Sequence, residues 1–373
     1  MERTLDTLVI GAGPAGLAVG ACLKARGVSS LLLDQSTTVG SSWHGHYDRL
    51  HLHTDKGHSA LPYLGFPAGT PRYPSRQQMI AYLESYARHF ELTPRFQEKV
   101  RSVARSGTGW RVSTTRGVHH ARRVVVASGY NAVPHVPDWP GRAHFRGAFL
   151  HSSAYRTAKP FRGQRVLVVG FGNSGGEIAL DLQEQGARVA MAVRGPVNIL
   201  PREILGINIL TVSIALSHLP TRVTDTIAAP LSRMVLGDVS RLGLRKSATG
   251  PATQLRRTAR VPLIDIGTIG LIRAGHIEVL GAVHSMSEHA VTFDDGSARP
   301  FDAVIAATGF RPQLGRFLDP HDDPLRARPS LLRDEPVGES GLYFCGFCVS
   351  PTGMLRHIGI EARRIAKHIS TMA

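Results

Sequence analysis

Phe145-Arg146-Gly147-Ala148-Phe149-Leu150-His151-Ser152-Ser153-Ala154-Tyr155 is the stretch from which the chain is best read. Phe145, Gly147, His151 and Tyr155 form its skeleton. A glycine-rich loop stands on each side: Gly11-Ala12-Gly13-Pro14-Ala15-Gly16 upstream and Gly170-Phe171-Gly172-Asn173-Ser174-Gly175 downstream. Each loop follows an apolar strand-like run, Leu5–Ile10 or Arg165–Val169. Each precedes a helix-forming run, Leu17–Arg26 or Gly176–Gln185, and then a second apolar strand, Leu31–Leu33 or Val189–Val193. This strand–loop–helix–strand order is the context in which G-x-G-x-x-G binds a dinucleotide. The first glycine makes the tight turn, the second lets backbone approach a pyrophosphate, and the third admits close helix–strand packing. The helix N-terminus attracts the anion. Two such units predict an α/β fold with two Rossmann-like dinucleotide-binding domains.

The second strands end differently. The first ends in Asp34-Gln35, where a carboxylate accepts from ribose hydroxyls and repels a 2′-phosphate. The second ends near Arg194, whose guanidinium can hold a phosphate bidentately. Two further apolar strands end in small residues: Arg123–Ala127 before Ser128-Gly129, and Phe301–Ala307 before Thr308-Gly309. They read as hinges out of and back into the first domain, placing boundaries at 1–158, 159–301 and 302–373. Ser75 and Gln78 form a capping box before a helical stripe of Met79, Ile80, Leu83, Ala87 and Phe90 that reads as core. Val291–Gly296 reads as a hairpin, Leu342–Cys345 as a last strand and Ile358–Ile369 as a terminal helix.

The 373 residues carry 44 Lys plus Arg against 28 Asp plus Glu, a formal charge of +16. The basic residues are dispersed and not interleaved with aromatics, so the charge reads as a solvated surface that attracts anionic cofactors and acids, not as a nucleic-acid footprint. Three cysteines, Cys22, Cys345 and Cys348, make no disulfide framework. No signal peptide or spanning segment is expected; the longest uncharged stretch, Ile204–Leu219, falls short of a span and reads as part of a lid or a membrane-resting element. His44, His46, His51, His53 and His58 match no common zinc spacing, so no metal is expected. Cys345 and Cys348 read either as buried apolar thiols or as a redox pair.

The whole pattern resembles class B flavin-dependent monooxygenases and, within them, the YUCCA family of indole-3-pyruvate monooxygenases. The resemblance rests on the first glycine loop with Trp43, Tyr47-Asp48-Arg49-Leu50 with His53 and Lys56, and Leu83-Glu84-Ser85-Tyr86. It extends through Phe145–Tyr155, Asn173-Ser174-Gly175, Leu200-Pro201-Arg202-Glu203 and Ala307-Thr308-Gly309. It implies an NADPH domain inserted into an FAD domain. The cofactor-binding residues are then Gly11, Gly13, Pro14, Ala15, Gly16, Asp34, Gln35, Trp43, His53, Ser128, Gly129, Gly170, Gly172, Asn173, Ser174, Gly175, Arg194, Arg202, Thr308, Gly309, Gly346 and Phe347. Lys56, His53 and Asn173 are the catalytic candidates.

The implied activity is oxygenation through a flavin C4a-hydroperoxide, which needs a dry site. Oxidative decarboxylation of an aryl 2-oxo acid such as indole-3-pyruvate ranks first and N- or S-oxygenation second. A flavin disulfide reductase using Cys345 and Cys348 ranks third. The expected partners are a small-molecule substrate and O₂, without nucleic acid or membrane, in the cytoplasm, with a homodimer left open. The sequence departs from the family at Cys345, Cys348, Arg356 and His357. The last two read either as a site for a substrate carboxylate or as solvated side chains.

Overall fold

The computed structural model describes residues 4–326 and 340–372. The chain divides into two units: Met1–His44, Thr54–Val133 and Arg311–Ala373 form the first, Gly45–His53 and Pro134–Phe310 the second.

In the first unit, Leu5–Ile10 pairs in parallel with Ser30–Leu33 on one side and with Val118–Val126 on the other. The far edge of Val118–Val126 takes two neighbours in succession. Its first residues pair antiparallel with Gly109–Thr114, which pairs on to Val100–Ser106. Its last three, Val124–Val126, pair in parallel with Leu342–Phe344. Side chains alternate across a strand, and the core follows that period. Leu8, Ile10, Val124 and Val126 pack with Val103, Trp110 and Val112 of the antiparallel strands. Val9 points the other way, toward the Pro14–Lys24 helix, against which the terminal helix Met354–Thr371 packs. That terminal helix begins a turn earlier than the expected Ile358. The Arg76–His89 helix carries both halves of its capping box, Ser75 with Gln78. Met79, Leu83 and Ala87 are buried as the stripe requires, and Tyr82 and Tyr86 are buried beside them.

In the second unit five parallel strands stand in the order Ile277–Leu280, Arg188–Ala192, Arg165–Val169, Ala303–Ala306, Ala148–His151. Val166, Val168, Val189, Met191 and Ile305 pack with Ile178 of the Asn173–Glu184 helix. Leu167, Val169, Ala190 and Val304 face the opposite way, against Met286, Val291 and Phe293 of a three-stranded antiparallel sheet. Both faces are covered, which is why these strands read as near-continuous apolar runs. Val291–Gly296 lies in that antiparallel sheet, as the hairpin pattern indicates.

The spacer strand Ala148–His151 and the return strand Ala303–Ala306 both pair inside the second sheet. The units therefore divide at 133/134 and 310/311, outside the 158/159 and 301/302 read from the hinges. Segment 204–244 contributes two helices, Ile209–Leu216 and Thr221–Leu236. Among the described residues no helix is long and apolar enough to cross a membrane.

Candidate dinucleotide sites and their supports

The two glycine loops share one geometry. Gly11 has φ +114°, and a Cβ there would lie 2.4 Å from the carbonyl oxygen of Ala127; Gly170 has φ +120°, and its Cβ would lie 2.4 Å from that of Ala307. At the third glycine a Cβ would sit 1.8 Å (Gly16) or 2.3 Å (Gly175) from the carbonyl oxygen of the first. Gly13 and Gly172 differ: a Cβ at either meets nothing within 4 Å. Both are helix N-caps without a side-chain cap. Each loop thus presents open space before an uncapped helix start, which fits a pyrophosphate.

Around the first loop, Asp34 Oδ2 accepts from Ala12 N (2.7 Å), while Oδ1 accepts from Ser36 N (2.8 Å) and Oγ (2.6 Å). A carboxylate has about four acceptor positions, so ribose hydroxyls can still be received. Gln35 is exposed and Trp43 half-buried in the turn after Gly40. Ser128-Gly129 follows the Val118–Val126 strand, with Ala127 N donating to Ile10 O (2.8 Å). Gly346, φ +85°, lies close to Ala15, since a Cβ there would be 3.2 Å from that residue's Cβ. The Phe347 side chain is fully buried in the core, so only its backbone can serve a cofactor.

Around the second loop, Asn173 Oδ1 accepts from Ile264 N (2.8 Å). Ile264 belongs to the strand Leu263–Asp265, which pairs in parallel with Ile199–Pro201. Asn173 therefore fastens the start of the glycine-loop helix to the Leu200–Glu203 element. Ser174 is a hydrogen-bond partner of the buried Tyr47 phenol. Arg194 is exposed, and its carbonyl accepts from Arg245 Nη2 (3.0 Å). Arg245 is a second guanidinium that the sequence did not mark. Arg202 lines a cavity of about 370 Å³ with Glu203, Asp265 and Arg273.

The spacer motif is a set of supports within the second unit. Phe145 is buried in the core. Gly147 passes so close that a Cβ would lie 2.6 Å from the Phe145 ring and 2.7 Å from Asp302 O. His151 Nε2 donates to Gly309 O (3.0 Å), and its ring meets Phe310 edge-on. Burial pushes its pKa down, which favours the neutral ring, and a carbonyl partner calls for the proton on Nε2. Ser153 N then donates to Nδ1 (3.1 Å). Tyr155 Oη donates to Asp181 Oδ2 (2.5 Å) on the Asn173–Glu184 helix. Thr308 Oγ1 donates to His135 O and His135 N to Gly309 O (2.9 Å), closing the return hinge.

The three catalytic candidates have separate partners. Lys56 Nζ donates to the carbonyls of Ala68 (3.1 Å) and Thr70 (2.6 Å) in the proline-rich loop of the first unit. His53 Nε2 lies 2.9 Å from Glu177 Oε1 in the second. Glu177, only 2% exposed, is a functional candidate that the sequence reading missed. Its signal is a lone charge inside the buried run Gly175–Leu180. Burial, and then the Glu177 carboxylate, push the Tyr47 phenol far above its ordinary pKa. The rest of the histidine run is dispersed: His51 Nδ1 bonds Arg49 O (2.7 Å), and His58 stands 4.0 Å from Asp55.

At the C-terminal end, Cys345 is fully buried, which pushes its thiol well above the ordinary value. Glu361 is pushed up to about 7 by burial, against the pull of the Gly346 N–H. Arg356 Nη1 donates to Thr352 Oγ1 (3.1 Å), and His357 is buried next to Glu361. Only Arg356 of that pair is therefore left for a substrate carboxylate.

Two dinucleotide loops, one on the mixed sheet of the first unit and one on the parallel sheet of the second, define a flavin- and pyridine-nucleotide-dependent oxidoreductase. A family model described as pyridine nucleotide-disulphide oxidoreductase matches residues 8–201. Indole-3-pyruvate monooxygenase YUCCA1 of Oryza sativa subsp. japonica is 41% identical over 97% of this chain and 90% of its own. YUCCA6 of Arabidopsis thaliana is 40% identical over 97% and 89%. A flavin-containing monooxygenase from Stenotrophomonas maltophilia superimposes with a TM-score of 0.73 at 24% identity, covering 100% of this chain and 99% of its own. Cyclohexanone monooxygenase from Rhodococcus sp. Phi1, solved with NADP+, gives 0.74 at 19%, covering 100% and 85%. The chain belongs to the YUCCA family of flavin-dependent monooxygenases. It is an oxidoreductase that uses FAD and NADPH.

Proposed function

We propose that the enzyme oxidatively decarboxylates an aryl 2-oxo acid of the indole-3-pyruvate type, with FAD at the Gly11–Gly16 loop and NADPH at the Gly170–Gly175 loop. The carrying observation is that two loops of matched geometry are followed by residues of opposite charge, Asp34 and Arg194. The name and 41% identity of the rice relative support the substrate class. Bound flavin supplies the oxygen-activating chemistry that side chains lack. The chain's own residues bind and orient. The two helix starts receive pyrophosphates, Asp34 receives ribose hydroxyls, and Arg194 with Arg245 receives a 2′-phosphate. Asn173 and the His53–Glu177 pair hold the second loop's helix in place.

A disulfide reductase finds no support in the thiols, because a fully buried, raised-pKa Cys345 yields little thiolate. Dioxygen as co-substrate and a cytoplasmic location belong to the same reading. A homodimer is the first assembly to check by light scattering.

The test is coupling: NADPH consumed against product formed with indole-3-pyruvate, an amine and a thioether. Close coupling with the oxo acid is expected. Coupled oxygenation of the amine or thioether, with only hydrogen peroxide released in the presence of oxo acids, would overturn the substrate assignment.

A further inference from the structure

The C-terminal end of the first unit gathers side chains that neither glycine loop uses. Cys348, His357 and Glu361 each offer one ligand-type atom, a thiol sulfur, a ring nitrogen and a carboxylate oxygen, and these atoms all lie within 4.8 Å of one another. His357 is 2% exposed, Cys348 5%, and the Glu361 side chain 14%. His357 and Glu361 are one turn apart on the Met354–Thr371 helix and so share a face. Cys348 comes from the other side, on the loop that follows Leu342–Phe344.

The distances suit a small tetrahedral cation. Zn–S bonds of about 2.3 Å and Zn–N or Zn–O bonds of about 2.0–2.2 Å place ligand atoms roughly 3.3–3.7 Å apart. His357 Nε2 and Glu361 Oε1 stand 3.5 Å apart. The Cys348 sulfur lies within 4.8 Å of both atoms, close enough for the three to converge on one cation.

The second oxygen of Glu361 is already oriented. Oε2 accepts from Gly346 N at 2.7 Å, which leaves Oε1 directed at His357. Metal-binding carboxylates are held by this kind of outer hydrogen bond. A carboxylate, an imidazole and a thiol buried together are also costly to ionise unless a cation joins them. Thiolate with imidazole and carboxylate is a ligand set for zinc, not for calcium or magnesium.

We propose that Cys348, His357 and Glu361 bind one zinc ion. The ion fastens the loop between Leu342–Phe344 and the terminal helix to that helix, and its fourth position takes water or a small anion. The sequence hid the site because Cys348 lies far from any histidine in the run at 44–58, and because His357-x-x-x-Glu361 alone is an ordinary helical pair.

The test uses the flavin-loaded enzyme. It is stripped with a chelator, re-equilibrated with zinc ion, passed through gel filtration and counted for metal by mass spectrometry. About one zinc per chain is expected in the natural enzyme, and at least tenfold weaker retention in Cys348→Ser and His357→Gln. Flavin absorbance and melting temperature of the stripped proteins, unchanged by the substitutions, exclude misfolding. X-ray absorption at the zinc edge gives a reading that needs no variant: one sulfur neighbour with nitrogen and oxygen. The proposal fails if the natural enzyme retains no zinc, if both variants retain it fully, or if the spectrum contains no sulfur.

Discussion

His53 and Glu177 meet inside the second unit, with Nε2 of the ring 2.9 Å from Oε1 of a carboxylate whose side chain is 3% exposed. The two come from separate parts of the sequence. His53 ends the short segment Gly45–His53 that the chain sends into this unit, and Glu177 lies one turn into the helix after the second glycine loop. Asn208 Nδ2 donates to the His53 carbonyl at 3.0 Å and fixes the same segment from a third direction.

Removing Glu177 leaves the half-buried His53 ring without this hydrogen-bond partner. Glu177→Ala is expected to cost about 1–3 kcal/mol, and Glu177→Gln, which keeps the shape and an acceptor, less. Urea unfolding curves measure both. If both variants match the natural enzyme, the pair does not hold the segment.

The two loops can be separated by matched substitutions. Gly16→Ala puts a methyl where the Gly11 carbonyl already stands, so the enzyme is expected to purify without flavin. Gly175→Ala has the corresponding clash with Gly170 and is expected to keep its yellow flavin spectrum while losing flavin reduction by NADPH. Flavin content by absorbance and anaerobic reduction by stopped flow give the two readings. Loss of flavin in Gly175→Ala alone would reverse the assignment of the loops.

Arg194→Ala is expected to raise the KM for NADPH far more than that for NADH. A lost charged hydrogen bond of about 1.5–3 kcal/mol corresponds to roughly 10- to 150-fold. Because Arg245 donates to the Arg194 carbonyl, the double variant should exceed the single one. Steady-state kinetics with both nucleotides decide the matter, and an equal effect on both refutes a 2′-phosphate role.

Asp302 gives the second unit a pH dependence. It accepts from Arg165 Nε (3.1 Å), Nη2 (2.7 Å) and backbone N (2.8 Å). The guanidinium bonds first, and then the backbone N–H, hold its carboxyl down to about 2 from an ordinary 3.8. A depressed carboxyl contributes stability that is complete above its unfolded value and is lost as pH falls through its folded one. The side chains are 39% and 43% exposed, so solvent screening limits the pair to about 1 kcal/mol. Asp302→Asn should therefore be less stable than the natural enzyme by about that amount at neutral pH, and the gap should close between pH 4 and pH 2, the span of roughly two units between the two values. Urea midpoints across a pH series measure it; a gap constant with pH would rule out the pairing.

Much of this architecture is legible in the sequence because its determinants are local. A glycine loop between two apolar strands specifies its own turn, and the clashes at Gly11, Gly16, Gly170 and Gly175 show why no other residue serves. The capping box at Ser75 and Gln78 is equally local. Contacts between distant segments are not encoded by spacing. Nothing near Asn173 announces Ile264, and nothing near Arg194 announces Arg245. Where the contacts divide the chain into units is hidden from spacing for the same reason. The hinge glycines are visible, but which sheet claims Ala148–His151 depends on its pairing with Ala303–Ala306. Lys56 read as a catalytic cation by resemblance, yet its ammonium is bonded to loop carbonyls.

The two successive neighbours of Val118–Val126 have a consequence for how the protein is made. Its half that meets Gly109–Thr114 can be satisfied as soon as that hairpin leaves the ribosome, but Val124–Val126 wait for Leu342–Phe344. During synthesis the second unit, finished by Phe310, is ready to collapse first, while the first remains an open sheet with an apolar edge. Such an edge recruits other chains until it is covered. Translation that stalls before the last strand therefore leaves an aggregation-prone chain, and the sheet that carries the first glycine loop is the last to close.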